Sequence, residues 1–281
     1  MRRSSLVAAW EDLSSGSDDG GRCLHGLSTF TLEHLMAEAN IDNSIYDKYG
    51  DRWYTAYDDP VALLRAESAI KTPWILKRIR LMATGNVSVL DVGCGAGFLS
   101  NELALSGLSV TGVDLSPESV KVAAAHDGTK SVHYEVADAS RLPFPDQSFD
   151  VVTAMDFLEH VEDPEAIIRE MGRVLKPGGL FFFHTFNRNF LCWFVVIKLV
   201  EWLVKNTPKH MHILRLFIKP AELDRYNLSA GMKTLEITGI RPAFRSIPLK
   251  SVFSGVVPES LRFKFTKNLW LSYLGMAIKK E

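Results

Sequence analysis

Five short apolar, β-rich runs separated by longer helix-like stretches constrain this chain more than any other feature. They are VSVLDV (87–92), LSVTGVD (108–114), VHYEVAD (132–138), FDVVTAM (149–155) and LFFFHTF (180–186). Strands that alternate with helices form βαβ units, which build a parallel sheet covered on both faces. Right-handed crossovers bring the strand C-termini to one edge, where ligands bind at the point of strand-order reversal. The expected fold is therefore α/β and Rossmann-like, a central, mostly parallel sheet with helices on both faces. The punctuation agrees. LKPGG (175–179) reads as a helix stop, with Gly178 and Gly179 permitting a left-handed turn. In KPAELDRYNLSAG (219–231), Pro220 suits a first helical turn and Gly231 a C-terminal cap. Two further strand candidates follow at 235–240 and 269–278.

Residues 41–84 read as helix, loop, helix, an N-terminal helical cap on a single domain spanning 41–281. Residues 1–40 read as a disordered tail, with Met36 as an alternative start. The tail's apolar stretch is broken by Glu11 and Asp12, too soon for a signal-peptide core of roughly 7–15 residues. Its acids, Glu11, Asp12, Asp18 and Asp19, oppose a mitochondrial presequence. A formal net charge of −1 with no basic groove excludes nucleic acid as the partner. Cys23, Cys94 and Cys192 fit neither a disulfide framework nor a zinc pattern, so a reducing, cytoplasmic setting is expected.

The turn behind the first strand, VLDVGCGAGF (89–98), spaces its glycines G-x-G-x-G, whereas a dinucleotide fingerprint runs G-x-G-x-x-G. A carboxylate at Asp91 would repel a pyrophosphate and welcome an amino-bearing ligand. Asp114 closes the second strand, where an acidic residue chelates ribose hydroxyls. Asp138 closes the third, where it can accept from an adenine amino group. This arrangement describes a nucleoside carrying an amino acid.

LDVGCGAG, VTGVDLS, VADASRLPFPDQSFDVV and LKPGG, in this order, resemble the motifs of class I S-adenosyl-L-methionine (SAM) methyltransferases. MDFLEHVEDPEAIIRE, HTFNRN, TPKHMH and FIKPAEL are similar to the ubiquinone-biosynthesis O-methyltransferase family, over about residues 41–245. The resemblance implies methyl transfer to a phenolic hydroxyl of a polyprenylated dihydroxybenzene. Two alternatives stay open: another hydrophobic phenol, such as a lipid or polyketide phenol, or a non-catalytic SAM-binding scaffold in a quinone-synthesis complex. It places Arg65, Gly93, Gly95, Gly97, Asp114 and Met155 at the cofactor, with Asp91, Leu115, Asp138 and Ala139 beside them.

Some members of that family hold a divalent cation through a Glu-x-x-Glu-His sequence, and Asp156, Glu159 and His160 stand at its positions here. Spacing of i, i+3, i+4 gathers three side chains on one side of a helical turn. Mg2+ suits two carboxylates, a catechol can complete its shell, and the bound ion would lower a phenol's pKa from about 10. The other reading makes Glu159 and His160 walls of the acceptor pocket, with His160 as general base. His184 and His212 are weaker base candidates, each read as a loop or core residue.

FLCWFVVIKLVEWLVK (190–205), inside an insertion at 189–218, is the most apolar stretch. Lys198 and Glu201 interrupt it before the roughly 20 residues a membrane span needs. On a helix Lys198, Glu201 and Lys205 form one stripe, with Glu201 and Lys205 paired at i, i+4. Trp193, Phe194, Ile197 and Trp202 lie on the apolar arc. Such a helix is either buried or lies in a membrane surface. The family resemblance favours peripheral contact with the inner face of a membrane, where a polyprenyl substrate resides.

Overall fold

The five expected strands all form in the computed structural model, which describes residues 42–83, 85–248 and 253–281. The expected tail and the alternative start at Met36 lie outside the described residues. Strands β1 (Ser88–Val92), β2 (Ser109–Asp114), β3 (His133–Val136), β4 (Phe149–Met155) and β5 (Leu175–Phe186) pair in parallel in the order β3-β2-β1-β4-β5. Three C-terminal strands extend this sheet: β6 (Met232–Pro242), β7 (Phe263–Thr266) and β8 (Ser272–Lys279). β8 lies antiparallel between β5 and β6, and β7 borders β6 on the outer edge. β7 has no counterpart among the expected strands. Four residues with Lys264 and Phe265 exposed give an edge strand too short to announce itself.

Around the sheet run α1 (Val61–Met82), α2 (Phe98–Leu105), α3 (Pro117–Ala125), α4 (Pro164–Val174), a helical run α5 over residues 190–203, and α6 (Pro220–Ser229). The pleat of β1 decides which helices cover which face. Val89 packs with Ile75 and Ile79 of α1 and Leu103 of α2, whereas Leu90 packs with Ile168 and Met171 of α4 and Leu223 of α6. β5 repeats the division, Leu180 and Phe182 to the first side, Phe181 and Phe183 to the second. These side chains are fully or almost fully buried, each contributing about 1.5–3 kcal/mol relative to exposure.

Helix ends follow local chemistry. The Ser116 hydroxyl accepts the Ser119 N–H, and Asp163 accepts the Ala166 N–H, each just before a helix that opens on proline. Gly231 (φ +73°) follows Ala230, the C-cap residue of α6, at the helix end where it is expected. LKPGG stops the helix as expected, and Gly178 takes the left-handed turn at φ +73°, but the segment also does something more. α4 stops at Val174, and its C-cap Leu175 is already extended and pairs with Phe149, so the segment that ends the helix also opens β5.

The apolar run differs from expectation. It is α-helical at Phe190–Cys192, a π-helix at Trp193–Leu199 and α-helical again at Val200–Leu203. Val204 is extended, so Lys205 lies beyond the helix and its expected pairing with Glu201 does not form. Lys198 takes that partner instead, at 3.0 Å. Among the described residues no helix is long and apolar enough to cross a membrane.

Ahead of α1 come a 3-10 turn, Asn43–Lys48, and a short helix, Arg52–Thr55. Tyr49, which follows the turn, and Trp53 of the short helix pack with Val61, Ala96 and Val122, which holds this N-terminal segment against the glycine turn.

Candidate active site

Strand order reverses at β1, so a crevice opens outside the C-terminal ends of β1 and β4. It holds a cavity of about 780 Å3. Asp91, Gly93, Gly95, Asp114 and Leu115 all line it. So do Asp138, Ala139, Met155, Asp156 and His160, which brings together most of the expected site residues.

The turn is shaped by what a side chain would strike. At Gly93 (φ +70°) a Cβ would fall within 3 Å of Cβ, Cγ and Cδ2 of Phe157. The Gly93 and Cys94 N–H groups donate to the Val113 carbonyl at 2.9 and 3.0 Å. Asp114 accepts the Gly95 N–H at 2.8 Å and the Ser116 N–H at 2.9 Å. Burial nevertheless leaves its carboxyl above the usual range. Asp91 accepts from the Ser100 and Thr153 hydroxyls, both at 2.6 Å, and burial raises it to about 6. It thereby ties β1, β4 and α2 together beneath the cavity.

Two expected cofactor residues stand elsewhere. The Arg65 guanidinium donates to the backbone carbonyls of Trp53 (2.6 Å) and Ala56 and lies 5.0 Å from the Tyr57 ring centre. It satisfies carbonyls at the end of the short helix and is not among the cavity-lining residues. Gly97 precedes α2 at φ +82°, where a Cβ would strike the Tyr134 hydroxyl and Ala123, so it also turns away from the cavity.

At the other end of the site the expected helical face is absent. Asp156 has φ +52°, and only Leu158–His160 forms a 3-10 turn, so the three expected metal ligands diverge. Asp156 ion-pairs with Lys71, and its Oδ1 lies 2.5 Å from Nδ1 of His184, within hydrogen-bond distance. Lys71 also meets Glu67 at 3.2 Å. Burial opposes ionisation of Asp156, but Lys71 and His184 outweigh it and hold the carboxyl well below its ordinary range. Glu159 is completely buried and accepts from the Thr185 hydroxyl at 2.8 Å. Burial, reinforced by Asp156, pushes it up to about 8. Mg2+ held by Asp156, Glu159 and His160 does not fit this arrangement, because a lysine ammonium already compensates Asp156 and its carboxylate is turned to that partner.

His160 and His212 both line the cavity, their ring centres 5.1 Å apart. Burial pushes His160 down to about 3 and His212 to about 4, so both imidazoles are neutral near pH 7. The Tyr46 hydroxyl lies 3.2 Å from Nε2 of His160. His212, expected as a loop or core residue, is thus part of the site, whereas His184 is buried in β5 as Asp156's partner. Lys71 was not singled out from the sequence, where a lysine four residues after a glutamate on a helix suggests a solvated pair. Here it is 2% exposed.

The remaining cavity wall is apolar, part aliphatic and part aromatic. Val195, Leu199 and Leu203 of α5 line it, as do Ile247, Val257 and Leu261 from the C-terminal region. The opposite assignment holds for part of the expected membrane-facing arc. Ile197 is buried and Trp193 half-buried, packed with Phe186, Leu214 and Phe217. Phe190, Leu191, Phe194 and Trp202 are the exposed ones, at 61%, 40%, 38% and 67%.

Residues 90–183 match the methyltransferase domain family. The chain is 36% identical over 225 residues to a ubiquinone biosynthesis O-methyltransferase of Coxiella burnetii (strain RSA 331 / Henzerling II), covering 78% of this chain and 92% of that protein. It is 38% identical over 208 residues to one from Xanthomonas euvesicatoria pv. vesicatoria, covering 72% and 85%. Among solved structures, a SAM-dependent methyltransferase from Methanosarcina mazei superposes with TM-score 0.52 at 23% identity over 72% of this chain and 97% of that one. Magnesium protoporphyrin IX methyltransferase from Synechocystis PCC 6803, with bound S-adenosyl-L-homocysteine, gives TM-score 0.52 at 17% identity over 90% and 95%. These two show the shared fold. With a SAM-type glycine turn and acidic strand ends on one cavity, and more than a third of residues shared over nine-tenths of a relative's length, the chain belongs to the ubiquinone biosynthesis O-methyltransferase family of SAM-dependent methyltransferases.

Proposed function

We propose that this enzyme transfers the methyl group of SAM to a phenolic hydroxyl of a polyprenylated dihydroxybenzene. One observation carries the reading: a single cavity reaches from the glycine turn and Asp114 to an apolar wall built by α5 and the C-terminal region. A polar nucleoside belongs at the first end and a hydrocarbon tail at the second. In this reading Asp114 accepts from the ribose hydroxyls and Asp138 from the adenine amino group, with Leu115, Ala139 and Met155 against the base and methionine portions. Gly93 and Gly95 leave room for the ligand at the turn, and Asp91 supports it from below.

The reaction moves a methyl group from sulfonium to oxygen. The C–S electron pair stays on sulfur, giving S-adenosyl-L-homocysteine, and the phenol loses a proton. Proximity and in-line orientation supply most of the acceleration. His160, neutral and on the cavity wall, is the acceptor for that proton. A base this weak suffices because the hydroxyl proton grows steeply more acidic as the new C–O bond forms. Exposed Phe190, Phe194 and Trp202 lie on the same helix as Val195, Leu199 and Leu203 of the wall. We assign them to peripheral membrane contact at the cytoplasmic face, where a prenylated acceptor resides.

The test compares two catechols that differ only in a prenyl tail, with methylated product followed by mass spectrometry. The tailed acceptor is expected to show at least a tenfold higher kcat/KM, about 1.4 kcal/mol. Equal values would refute the assignment of the apolar wall. No methylation of either would refute the acceptor class.

A further inference from the structure

The N-terminal turn Asn43–Lys48 brings a hydroxyl into the cavity directly beside the proton acceptor. Asn43, Ser44, Tyr46 and Asp47 all line that cavity. Two contacts fix the turn to His160. The Asn43 side-chain amide donates to the His160 carbonyl at 3.1 Å, and the Tyr46 hydroxyl lies 3.2 Å from Nε2 of the ring. A third anchor is Asp47, which accepts from the hydroxyl of Ser116, two residues beyond Asp114. The Tyr46 ring stacks on Trp53 at 5.7 Å between centres and meets the His160 ring edge-on at 5.6 Å, so its hydroxyl is held in place. The two nitrogens of His160 are not equivalent. Nδ1 is buried without a hydrogen-bond partner, whereas Nε2 faces Tyr46. A phenol in the cavity therefore meets the Tyr46 oxygen on its way to Nε2.

We propose that Tyr46 relays the acceptor's proton to His160. As the phenolic oxygen bonds to the methyl carbon and the C–S pair withdraws onto sulfur, the phenol's O–H bond breaks toward Oη of Tyr46. In the same step the proton of Tyr46 passes to Nε2 of His160. Tyr46 ends as it began, a neutral hydroxyl, and the imidazolium gives its proton to water once the product leaves. Before the reaction neutral His160 carries its hydrogen on Nδ1 and presents the lone pair at Nε2. Tyr46 cannot be the final acceptor or stand as a phenolate. Burial, reinforced by Tyr49, Glu159, Asp156 and Asp114, holds its hydroxyl well above the usual tyrosine range. It must therefore hand on one proton as it takes another, which needs a base within hydrogen-bond reach. The relay rests on the reading of His160 as proton acceptor and names the atom through which the proton arrives.

The full chain is assayed with a prenylated catechol and with its ring-nitrated counterpart, whose hydroxyl ionises unaided at the assay pH. Tyr46→Phe keeps the ring contacts and removes only the hydroxyl. On the plain catechol it is expected to lower kcat by about 100-fold with KM nearly unchanged, as loss of a proton-transfer partner used only in the transition state does. The nitrated catechol has already lost its proton, so there the variant is expected within about fivefold of the unaltered enzyme. His160→Gln is expected to behave alike, and the double variant to be no slower than either, because the two groups act as one unit. In 15N-labelled protein, with the His160 signal assigned by its loss in His160→Gln, the ring is expected as the Nδ1–H tautomer. Calorimetric binding of S-adenosyl-L-homocysteine verifies the fold of each variant. Tyr46→Phe equally slow on both catechols marks a structural role and overturns the relay, as does an Nε2–H tautomer. A slow His160→Gln beside a Tyr46→Phe of full speed refutes the relay and leaves His160 as acceptor. Full speed in both variants refutes the acceptor role of His160, and the relay with it.

Discussion

Gly93→Ala places a methyl group where the backbone and a neighbouring ring both object. Its φ of +70° lies in the left-handed region, which costs a residue with a Cβ roughly 1–2 kcal/mol. The added Cβ would also fall within 3 Å of three Phe157 atoms, one of them Cβ. Rotation about the Phe157 side chain cannot move that Cβ away, so the backbone must give, and Asp156 with its Lys71 pair is its immediate neighbour. Overpacking of this kind costs about 1–3 kcal/mol. The sum is roughly 2–5 kcal/mol. Urea denaturation of Gly93→Ala, Phe157→Ala and the double variant separates the two parts. Phe157→Ala removes the two closer ring contacts but keeps the 2.9 Å Cβ contact and the backbone strain, so the double variant should be more stable than additivity predicts by about 1 kcal/mol or more, part of the overpacking cost. Calorimetric SAM titration should show weaker binding by Gly93→Ala, because both residues line the cavity. A loss below about 1 kcal/mol, or strict additivity, would refute the argument that this position requires glycine because of Phe157.

Asp114→Ala leaves ribose donors unpaired and should weaken SAM binding by about 10- to 100-fold in calorimetry. Arg65→Ala should leave SAM affinity within about threefold, under 1 kcal/mol, while lowering the urea midpoint; a large affinity loss would return Arg65 to the cofactor. Replacing Phe190, Phe194 and Trp202 with serine should reduce co-sedimentation with anionic liposomes by more than about tenfold, given about 1.5–3 kcal/mol per large apolar side chain fully buried. Ile197→Glu should instead destabilise the fold, since Ile197 is 6% exposed. Glu159 has a folded pKa near 8 against an ordinary 4.5, so the folded state holds its proton longer than the unfolded state. Stability therefore falls as pH rises from about 4.5 to about 8. In Glu159→Gln that share of the fall should vanish, visible as denaturation midpoints at pH 5 and pH 8 that lie closer together than in the unaltered protein.

The sheet was legible because burial on both faces writes itself into composition: VSVLDV and LFFFHTF can only be interior strands. The meeting of the glycine turn and the acidic strand ends on one cavity was legible for a related reason, since a parallel sheet brings its strand C-termini to one edge. Arg65 and Gly97 show the limit. An arginine on α1 and the last glycine of the turn meet carbonyls and Tyr134 in three dimensions, and linear spacing contains neither contact. Asp156 shows another limit. Its left-handed backbone breaks the helical periodicity on which the i, i+3, i+4 argument rested, and the Lys71 that claims it lies 85 residues away. His212 is brought to His160 across the insertion, and no local pattern marks that meeting.

β8 follows β6 and β7 in the chain yet lies between β5 and β6 in the sheet, and this order matters during synthesis. Until β8 is made, β5 is an edge, and its Leu180–Phe183 stretch is apolar and rich in β-forming aromatics. About 85 residues separate the end of β5 from the start of β8, so at about 5–20 residues per second the edge stays unpaired for roughly 4–17 s. An apolar strand left open for that long is a template for pairing with other nascent chains. The C-terminal strand that completes the sheet therefore also ends the period in which a ribosome-bound chain is most prone to aggregate. Cellular yield of this enzyme should respond to translation speed and chaperone supply more sharply than its folded stability alone would suggest.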